Sequence, residues 1–571
     1  LEVLDTARST LIFTNTRSQA ELWFQALVKA NPDWTGQIAL HHGSIDHDIR
    51  AKVESLLRSG DLRAVVCTSS LDLGVDFTPV ELVIQIGSPK GVARLLQRAG
   101  RSGHQPGAVS RVIGVPAHAL ELIEFSAARK AAAERRLEQR EPLDRPLDVL
   151  AQHLVTVGMG DGFDESQLLD EVRATAAFAR LTDHEWQWAL DFVTFGGPSL
   201  KAYPQYARLQ RIDSERLEVS SPQIARLHRM NIGTITADAA IRVKLVRGGV
   251  LGHIEENFIA RLKPGDRFVF SGKILELVRV RDMTAQVKVA SRASTNVPRW
   301  AGGRSPLSTQ LAEVIRERFG EARAGHHADD EQRLVADLLD VQAAWSMIPG
   351  PDDLLIERIS YRGLNHVFAF TFAGRAANEG LAALVGHRVS RIRPCSITMS
   401  SNDYGFEMQS RDPLDFDADT WRTLLAPDNL TDDLLECLNA TELARRRFRD
   451  IARVAGLVFP GYPGQGKTAR QLQASSNLFY DVFVDFEPDN LLLDQARREV
   501  LDRELEAARL RRVLEALAEH ELHLVEPPRF TPLAFPLWVE QLRSAQVSSE
   551  SIADRIQRMV VLLDKEAAAS I

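Results

Sequence analysis

The most restrictive feature of this sequence is an alternation near its start. Strand-like runs at Thr10–Phe13, Gln37–Leu40, Ala64–Cys67, Leu82–Ile86 and Ser110–Gly114 are separated by helical stretches such as Ser18–Ala30 and Ile49–Ser59. Strand, helix, strand at this spacing predicts a mainly parallel sheet covered by helices over residues 1–118. Ligands on such sheets sit beyond the carboxyl ends of the strands, so the following loops are expected to carry the chemistry.

The pattern then changes. Residues 119–235 are dominated by helical segments (Ala119–Arg140, Leu147–Val157, Glu165–Ala177, Asp183–Phe195) and end in strand-like pieces at Tyr206–Ile212 and Leu217–Val219. Several helices closing on a small hairpin predict a winged-helix unit. Short runs with Gly/Pro turns follow at Ile241–Leu245, His253–Phe258, Arg267–Phe270, Lys273–Arg279 and Ala285–Ala290. They predict a small β-barrel or sandwich at about 236–305. From there to residue 571 the pattern is mixed, with strands at Asp353–Ser360 and His366–Phe372. A long charged helix is expected at Ala496–His520, with Ala507, Leu510, Leu514 and Leu517 on one face. Gly320–Asp330 is the most disorder-prone stretch.

Composition removes several classes. The chain has 571 residues, enough for three to four domains at roughly 150 residues each. No apolar run approaches the roughly 18–20 residues that span a bilayer. The three cysteines, Cys67, Cys395 and Cys437, fit no CxxC spacing, which argues against a zinc module or disulfide framework and suits a reducing cytoplasm. A net charge of −8 argues against a uniformly basic coat, but not against a basic groove. The chain opens at Leu1 with a buried strand soon after, and is read as the C-terminal part of a longer protein.

The strongest chemical signal is Gln97-Arg-Ala-Gly-Arg-Ser-Gly-His104. Gly100 and Gly103 permit a tight backbone, and Arg98 and Arg101 are rigid forks suited to phosphate oxygens. An arginine presented from one α/β domain into a neighbour's nucleotide site stabilises charge on a transferring phosphoryl group. Upstream, the strand at Ala64–Cys67 ends in Thr68, Ser69 and Ser70, followed by Gly74 and Asp76. Such hydroxyls can hold a nucleic-acid phosphate; Asp76 can accept from a nucleotide hydroxyl or orient an arginine. Phe13-Thr-Asn-Thr-Arg17 and His41-His-Gly-Ser44 close the first two strands. His41 and His42 lack a third ligand nearby, and no metal site is expected.

These segments resemble motifs IV, V and VI in the second RecA-like motor domain of superfamily-2 helicases. Their wording (Leu40-His-His-Gly-Ser44, Thr68 to Asp76, Gln97 to His104) is similar to the Lhr, or large helicase-related, DNA helicases. So are Leu251-Gly-His-Ile-Glu-Glu-Asn-Phe-Ile-Ala260, Leu262-Lys-Pro-Gly-Asp266, Val297-Pro-Arg-Trp300, Asn402-Asp-Tyr-Gly-Phe406 and Gln471-Leu-Gln-Ala-Ser475. The resemblance covers nearly the whole chain and points to the bacterial ligase-associated DEXH-box branch. It implies a RecA-like domain (1–118), a winged-helix domain (119–235) and an α+β accessory domain (236–571). It also implies ATP- and Mg²⁺-dependent translocation 3′ to 5′ on single-stranded DNA, unwinding of DNA or RNA:DNA duplexes in DNA repair, and partnership with an ATP-dependent ligase and a nuclease.

Residue by residue, the resemblance puts Gln97 and Arg101 at the γ-phosphate, with Arg101 as the finger. Gly74, Asp76 and Arg98 join them at the nucleotide. Arg17, His42, Thr68 and Ser69 fall nearer the strand. His104 stands where many superfamily-2 proteins carry a second arginine, and an imidazole is a weaker phosphate partner at pH 7. Trp300, between Arg299 and Arg304, is expected to stack on a base.

A superfamily-2 motor also needs a Walker A loop and a DExH box in a first lobe. Gly461-Tyr-Pro-Gly-Gln-Gly-Lys-Thr468 matches the Walker letters, but no hydrophobic strand leads into it and Pro463 lies inside it, so a structural turn is expected. The 571 residues alone are therefore expected to bind nucleic acid without hydrolysing ATP. The rival readings are a non-catalytic single-strand-binding module, a P-loop kinase-like enzyme and a base-excision-like activity in the C-terminal region.

Overall fold

The computed structural model describes residues 2–72, 80–103, 109–138, 143–212, 216–234, 240–255, 259, 262, 264–281, 284–290, 306–437, 440–459, 461–462, 465–467, 469–501, 506–544 and 552–568. The chain forms two compact units. One contains Leu1–Glu138, Ala239–Ala426 and Glu515–Ile571; the other contains Gln139–Asp238 and Pro427–Leu514.

The first unit opens with five strands: β1 (Thr10–Phe13), β2 (Ile38–His41), β3 (Ala64–Cys67), β4 (Leu82–Ile86) and β5 (Val112–Val115). They form a parallel sheet in the order β2-β3-β1-β4-β5. Both faces are buried. Leu11, Phe13, Val65, Cys67 and Val83 fill one core, while Ile12, Ala64, Val66, Leu82, Ile84 and Ile86 fill the other. This is why β1, β3 and β4 read as unbroken apolar runs. After a short α1 (Glu2–Asp5), the helices are α2 (Arg17–Ala30), α3 (His47–Ser59), α4 (Val92–Ala99) and α5 (Leu120–Ala133).

The expected barrel segment is a five-stranded sheet. Its strands are β9 (Ala240–Leu245), β10 (Val250–Glu255), β11 (Arg267–Phe270), β12 (Lys273–Arg281) and β13 (Thr284–Val289). The order is β10-β9-β13-β12-β11, and among the described residues the edge strands β10 and β11 do not pair with each other. The sheet is mounted on the N-terminal α/β lobe by backbone contacts. The His253 amide donates to the Ser44 carbonyl at 2.7 Å and the Asp46 amide to the Leu251 carbonyl at 3.0 Å. Gly252, at φ 146°, has no room for a side chain: a Cβ there would lie 2.0 Å from the Ser44 oxygen.

A third sheet has the order β16-β17-β15-β14-β18, built from β14 (Asp353–Tyr361), β15 (Leu364–Phe370), β16 (Thr398–Ser401), β17 (Phe406–Ser410) and β18 (Glu521–Val525). Its Leu355, Phe368 and Phe370 share one core with Val92 and Leu95 of α4 and Ile123 and Ala127 of α5. The N-terminal α/β lobe and this third sheet are thus packed through a common interior rather than joined by a linker.

In the second unit, α6 (Leu147–Gly158), β6 (Phe163–Asp164), α7 (Glu165–Arg173), α8 (Asp183–Phe195), β7 (Leu209–Arg211) and β8 (Arg216–Val219) form a winged helix with sheet order β6-β8-β7. Thr182 and Glu185 form a capping box that starts α8. The core is completed from far downstream by Phe448, Ile451, Tyr480, Phe483, Leu492 and Leu493.

Three expectations are corrected here. The stretch 236–571 is not one body, because 427–514 packs with the winged helix while α5, placed with the winged helix by the sequence reading, packs with the motor lobe. Ala496–His520 contains parts of two helices, Leu491–Glu499 and Ala507–Glu519. Gly320–Asp330 is pinned by charge: a helix continues to Arg323, and Asp329 caps the next one while binding Ser126 at 2.6 Å and Arg129 at 3.0 Å. Its small polar residues carried no sign of those distant partners. Among the described residues no helix is long and apolar enough to cross a membrane.

Candidate functional site

Because β2, β3 and β1 are neighbours, the loops leaving their carboxyl ends converge. Arg17 opens α2, is exposed, and donates from Nη1 to Ser44 Oγ at 2.8 Å. After β3, Thr68 is buried, Ser69 is exposed and Ser70 turns back, its Oγ 2.8 Å from His41 Nδ1. His41 Nε2 lies 3.0 Å from Glu54. Burial lowers the His41 pKa despite that carboxylate, and Ser70 Oγ also donates to the His41 carbonyl at 3.1 Å. The hydroxyl-bearing turn after β3 is thereby tied to α3.

The second half of the site is α4 and the turn after it. Arg98 is only 2% exposed. Its Nε donates to Asp72 Oδ1 at 2.9 Å, its Nη1 to Gln85 Oε1, and its guanidinium lies 4.7 Å from the centre of the Phe13 ring. Gln85 continues the chain of polar contacts to the Gly87 carbonyl at 2.9 Å. Arg101 is half-buried and donates from Nη2 to the Asp72 carbonyl at 2.7 Å. Both arginines converge on Asp72, one on its carboxylate and one on its backbone. Gln97 is exposed. Gly103, at φ 71°, lies so close to Val109 that a Cβ would sit 2.9 Å from its carbonyl carbon. The donor set suits a polyphosphate: an exposed amide at Gln97 and, at Arg101, a guanidinium that among the described residues is held by one bond to a carbonyl.

Two expected contact residues lie in the interior: Arg98, whose guanidinium neutralises Asp72 inside the lobe, and His42. His42 is fully buried, with Nε2 3.2 Å from Glu21 Oε1 and its ring 6.3 Å from Phe270. Glu21 also accepts from the Ser271 and Gly272 amides. The adjacent histidines point to opposite sides, as strand geometry demands: His41 toward the turn after β3, His42 toward the mounted five-stranded sheet. Gly74, Asp76, His104, Arg299, Trp300 and Arg304 lie outside the described residues.

Sequence reasoning missed Asp72, Gln85 and Glu21, which lie in a quoted motif, in strand β4 and in helix α2, with no local sign of the partner each polar side chain finds. The Walker-like letters belong to a hairpin: Gly461–Tyr462 pairs antiparallel with Gln465–Gly466, unlike the parallel strand, loop and helix that cradle a phosphate. In the basic run Arg445–Arg449, Arg445 pairs with Asp481 at 2.7 Å and Arg447 pairs with Glu499. Asp353, Glu521 and His523 bring three possible metal ligands within 4.8 Å of one another. Asp353 is engaged by Arg323, by His523 at 3.0 Å and by the Gly350 amide at 2.6 Å.

A parallel sheet whose carboxyl-end loops carry Arg17, Ser44, Thr68 and Ser69, beside a helix bearing Gln97 and a following turn bearing Arg101, has the arrangement of the second lobe of a helicase motor. Comparison with known families agrees: the helicase conserved C-terminal domain matches residues 2–105, the large helicase-related protein winged helix domain 130–297, and the DEAD/H associated family 348–534. The chain belongs to the Lhr helicase family. It is 30% identical over 561 residues to the ATP-dependent helicase Lhr-Core protein 2 of Thermococcus barophilus, with 96% of this chain and 65% of that protein covered. It is 30% identical to the ATP-dependent helicase Lhr-Core of Methanothermobacter thermautotrophicus, with 92% and 63% covered. The structure of Mycobacterium smegmatis helicase Lhr bound to ssDNA and AMP-PNP superposes with a TM-score of 0.69 at 25% identity, over 94% of this chain and 67% of that one. The chain spans slightly under two thirds of the length of these two curated relatives.

Proposed function

We propose that these residues are the C-terminal portion of an ATP-dependent motor that translocates 3′ to 5′ on single-stranded DNA and unwinds DNA or RNA:DNA duplexes in DNA repair. The observation that carries this reading is the convergence of Arg17, Thr68 and Ser69 at one sheet edge, with Gln97 and Arg101 on the adjoining helix and turn. The solved mycobacterial relative, bound to ssDNA and AMP-PNP, supports it. ATP with Mg²⁺, held mainly by a first RecA-like lobe, supplies the phosphoanhydride bond. From this lobe, Arg101 leaves the Asp72 carbonyl and donates to the γ-phosphate as charge develops there, while Gln97 orients beside it. Gly74 and Asp76 approach the nucleotide. Arg17, Thr68 and Ser69 hold strand phosphates, and Trp300, flanked by Arg299 and Arg304, stacks on a base. An ATP-dependent ligase and a nuclease are the proposed partners, and the cytoplasm the proposed compartment.

Phosphate release tests the motor reading. Residues 1–571 alone are expected to bind a single-stranded oligonucleotide without turnover. The same residues joined to a lobe with Walker A and DExH elements are expected to hydrolyse ATP when the oligonucleotide is added. Arg101→Ala in that form is expected to lower kcat by on the order of 10³-fold or more. Parental kcat for Arg101→Ala would overturn the finger assignment. Trp300→Ala is expected to weaken oligonucleotide binding by about 1–3 kcal/mol with an unchanged Tm; unchanged affinity would remove the stacking role.

A further inference from the structure

The Asn402-Asp403-Tyr404-Gly405 turn is used nowhere in the motor reading, yet it is built with unusual care. Asn402 Oδ1 accepts from the Tyr404 and Gly405 amides at 2.8 and 3.0 Å, and Asn378 Nδ2 donates to the Asn402 carbonyl at 2.9 Å. A Cβ on Gly405 would lie 2.2 Å from the Ala369 carbonyl oxygen. Asp403 Oδ1 accepts from the Leu307 and Arg375 amides at 3.1 and 3.0 Å. The turn therefore has one available shape.

What it holds is the start of α4. Lys90, two residues before that helix, adopts φ 62°, a left-handed conformation that costs a side-chain-bearing residue energy and persists only when its surroundings impose it. Its Nζ is 3.1 Å from both carboxylate oxygens of Glu124 and 3.0 Å from Asp403 Oδ2. The Tyr404 hydroxyl donates to Glu124 in turn. Burial works against the Lys90 ammonium, but Glu124 and Asp403 outweigh it and hold its pKa above the usual lysine value.

A second clamp acts on the Lys90 carbonyl and the first turn of α4. The Ser308 amide donates to the Lys90 carbonyl at 2.9 Å, and Ser308 Oγ donates to Glu138 at 2.7 Å. Glu138 accepts from the Val92 and Ala93 amides at 2.6 and 2.7 Å, placing a carboxylate on the first free N–H groups of α4. At 1.5 Å per residue this eight-residue helix is about 12 Å long. Arg101 follows two residues beyond its end, so any shift of the first turn reaches the guanidinium.

We propose that Asp403, Tyr404 and Glu138 are positioning residues for Arg101: through them the accessory sheet sets the position of α4 and so the aim of the finger. The proposal rests on the reading of Arg101 as that finger. The ATP-hydrolysing form of the protein provides the test, with Tyr404→Phe removing one hydroxyl and Asp403→Asn one charge. Each is expected to lower kcat by about tenfold, roughly 1.4 kcal/mol of barrier, with the KM for ATP and the Kd for oligonucleotide within about twofold of the parent. Combined with Arg101→Lys, Tyr404→Phe is expected to add little further loss, because there is no finger left to misplace. Tyr404→Phe decides the matter should Asp403→Asn not fold. Parental kcat in the folded variants, or full multiplicative loss in the double variant, would overturn the proposal while a slow Arg101→Lys leaves the finger intact. Parental kcat for Arg101→Lys would remove the finger reading and this proposal together.

Discussion

Arg98 and Arg101 lie within one helical turn of sequence and do opposite work. Arg98 neutralises Asp72 in the interior, while Arg101 donates to the Asp72 carbonyl. Removing one partner of a buried pair leaves an uncompensated charge, so Arg98→Met is expected to destabilise the first unit by about 3–5 kcal/mol in urea unfolding. Arg101→Met is expected to cost under about 1 kcal/mol. Equal losses would contradict the division of labour. Asp148 in the second unit makes a pH prediction. It is buried, receives Gln495 Nε2 at 2.7 Å, and burial pushes its pKa up to about 6. A carboxyl raised in the folded state contributes stability below its unfolded pKa and loses it as pH rises through about 6. Asp148→Asn keeps an acceptor for Gln495, so it is expected to be more stable than the parent at pH 8, by up to about 3 kcal/mol, with no advantage below pH 4. An advantage independent of pH would refute the assignment.

At the scale of elements, β1, β3 and β4 have the boundaries expected from sequence, and so does α8. Their signals are local: apolar runs for strands covered on both faces, and a capping box with a helical period for α8. Sheet closure was not legible, because it depends on which edge strand meets which. Nor was the mounting of β10 on Ser44, although Gly252 marks it. Gly252→Ala forces a Cβ into the Ser44 carbonyl at a backbone angle that disfavours any side chain. It is expected to loosen the five-stranded sheet from the motor lobe, seen as faster amide exchange in β10 with β1 and β3 still protected. Unchanged exchange would mean that the junction tolerates the methyl group.

At the scale of the whole molecule, chain order and spatial order part company. The winged helix borrows Phe448, Tyr480, Phe483 and Leu492 from a segment more than two hundred residues downstream to close its core. Residues 139–238 produced alone are therefore expected to be unfolded or aggregated, and to become soluble when co-expressed with 427–514. A cooperative thermal transition from 139–238 alone would show that the borrowed helices are dispensable.

By itself the amino-acid sequence determined the strands and helices of the first α/β lobe, the order of its Gly-, Arg- and hydroxyl-bearing motifs and the family to which the chain belongs, because each of these is written in runs of a few neighbouring residues. Only the tertiary structure decided that Arg98 serves Asp72, that His42 serves Glu21, that Asp403 reaches Lys90, and that the chain divides where it does. Those outcomes are set by burial and by charges meeting across long stretches of chain, where pairing energy depends on distance and exposure rather than on position in the sequence.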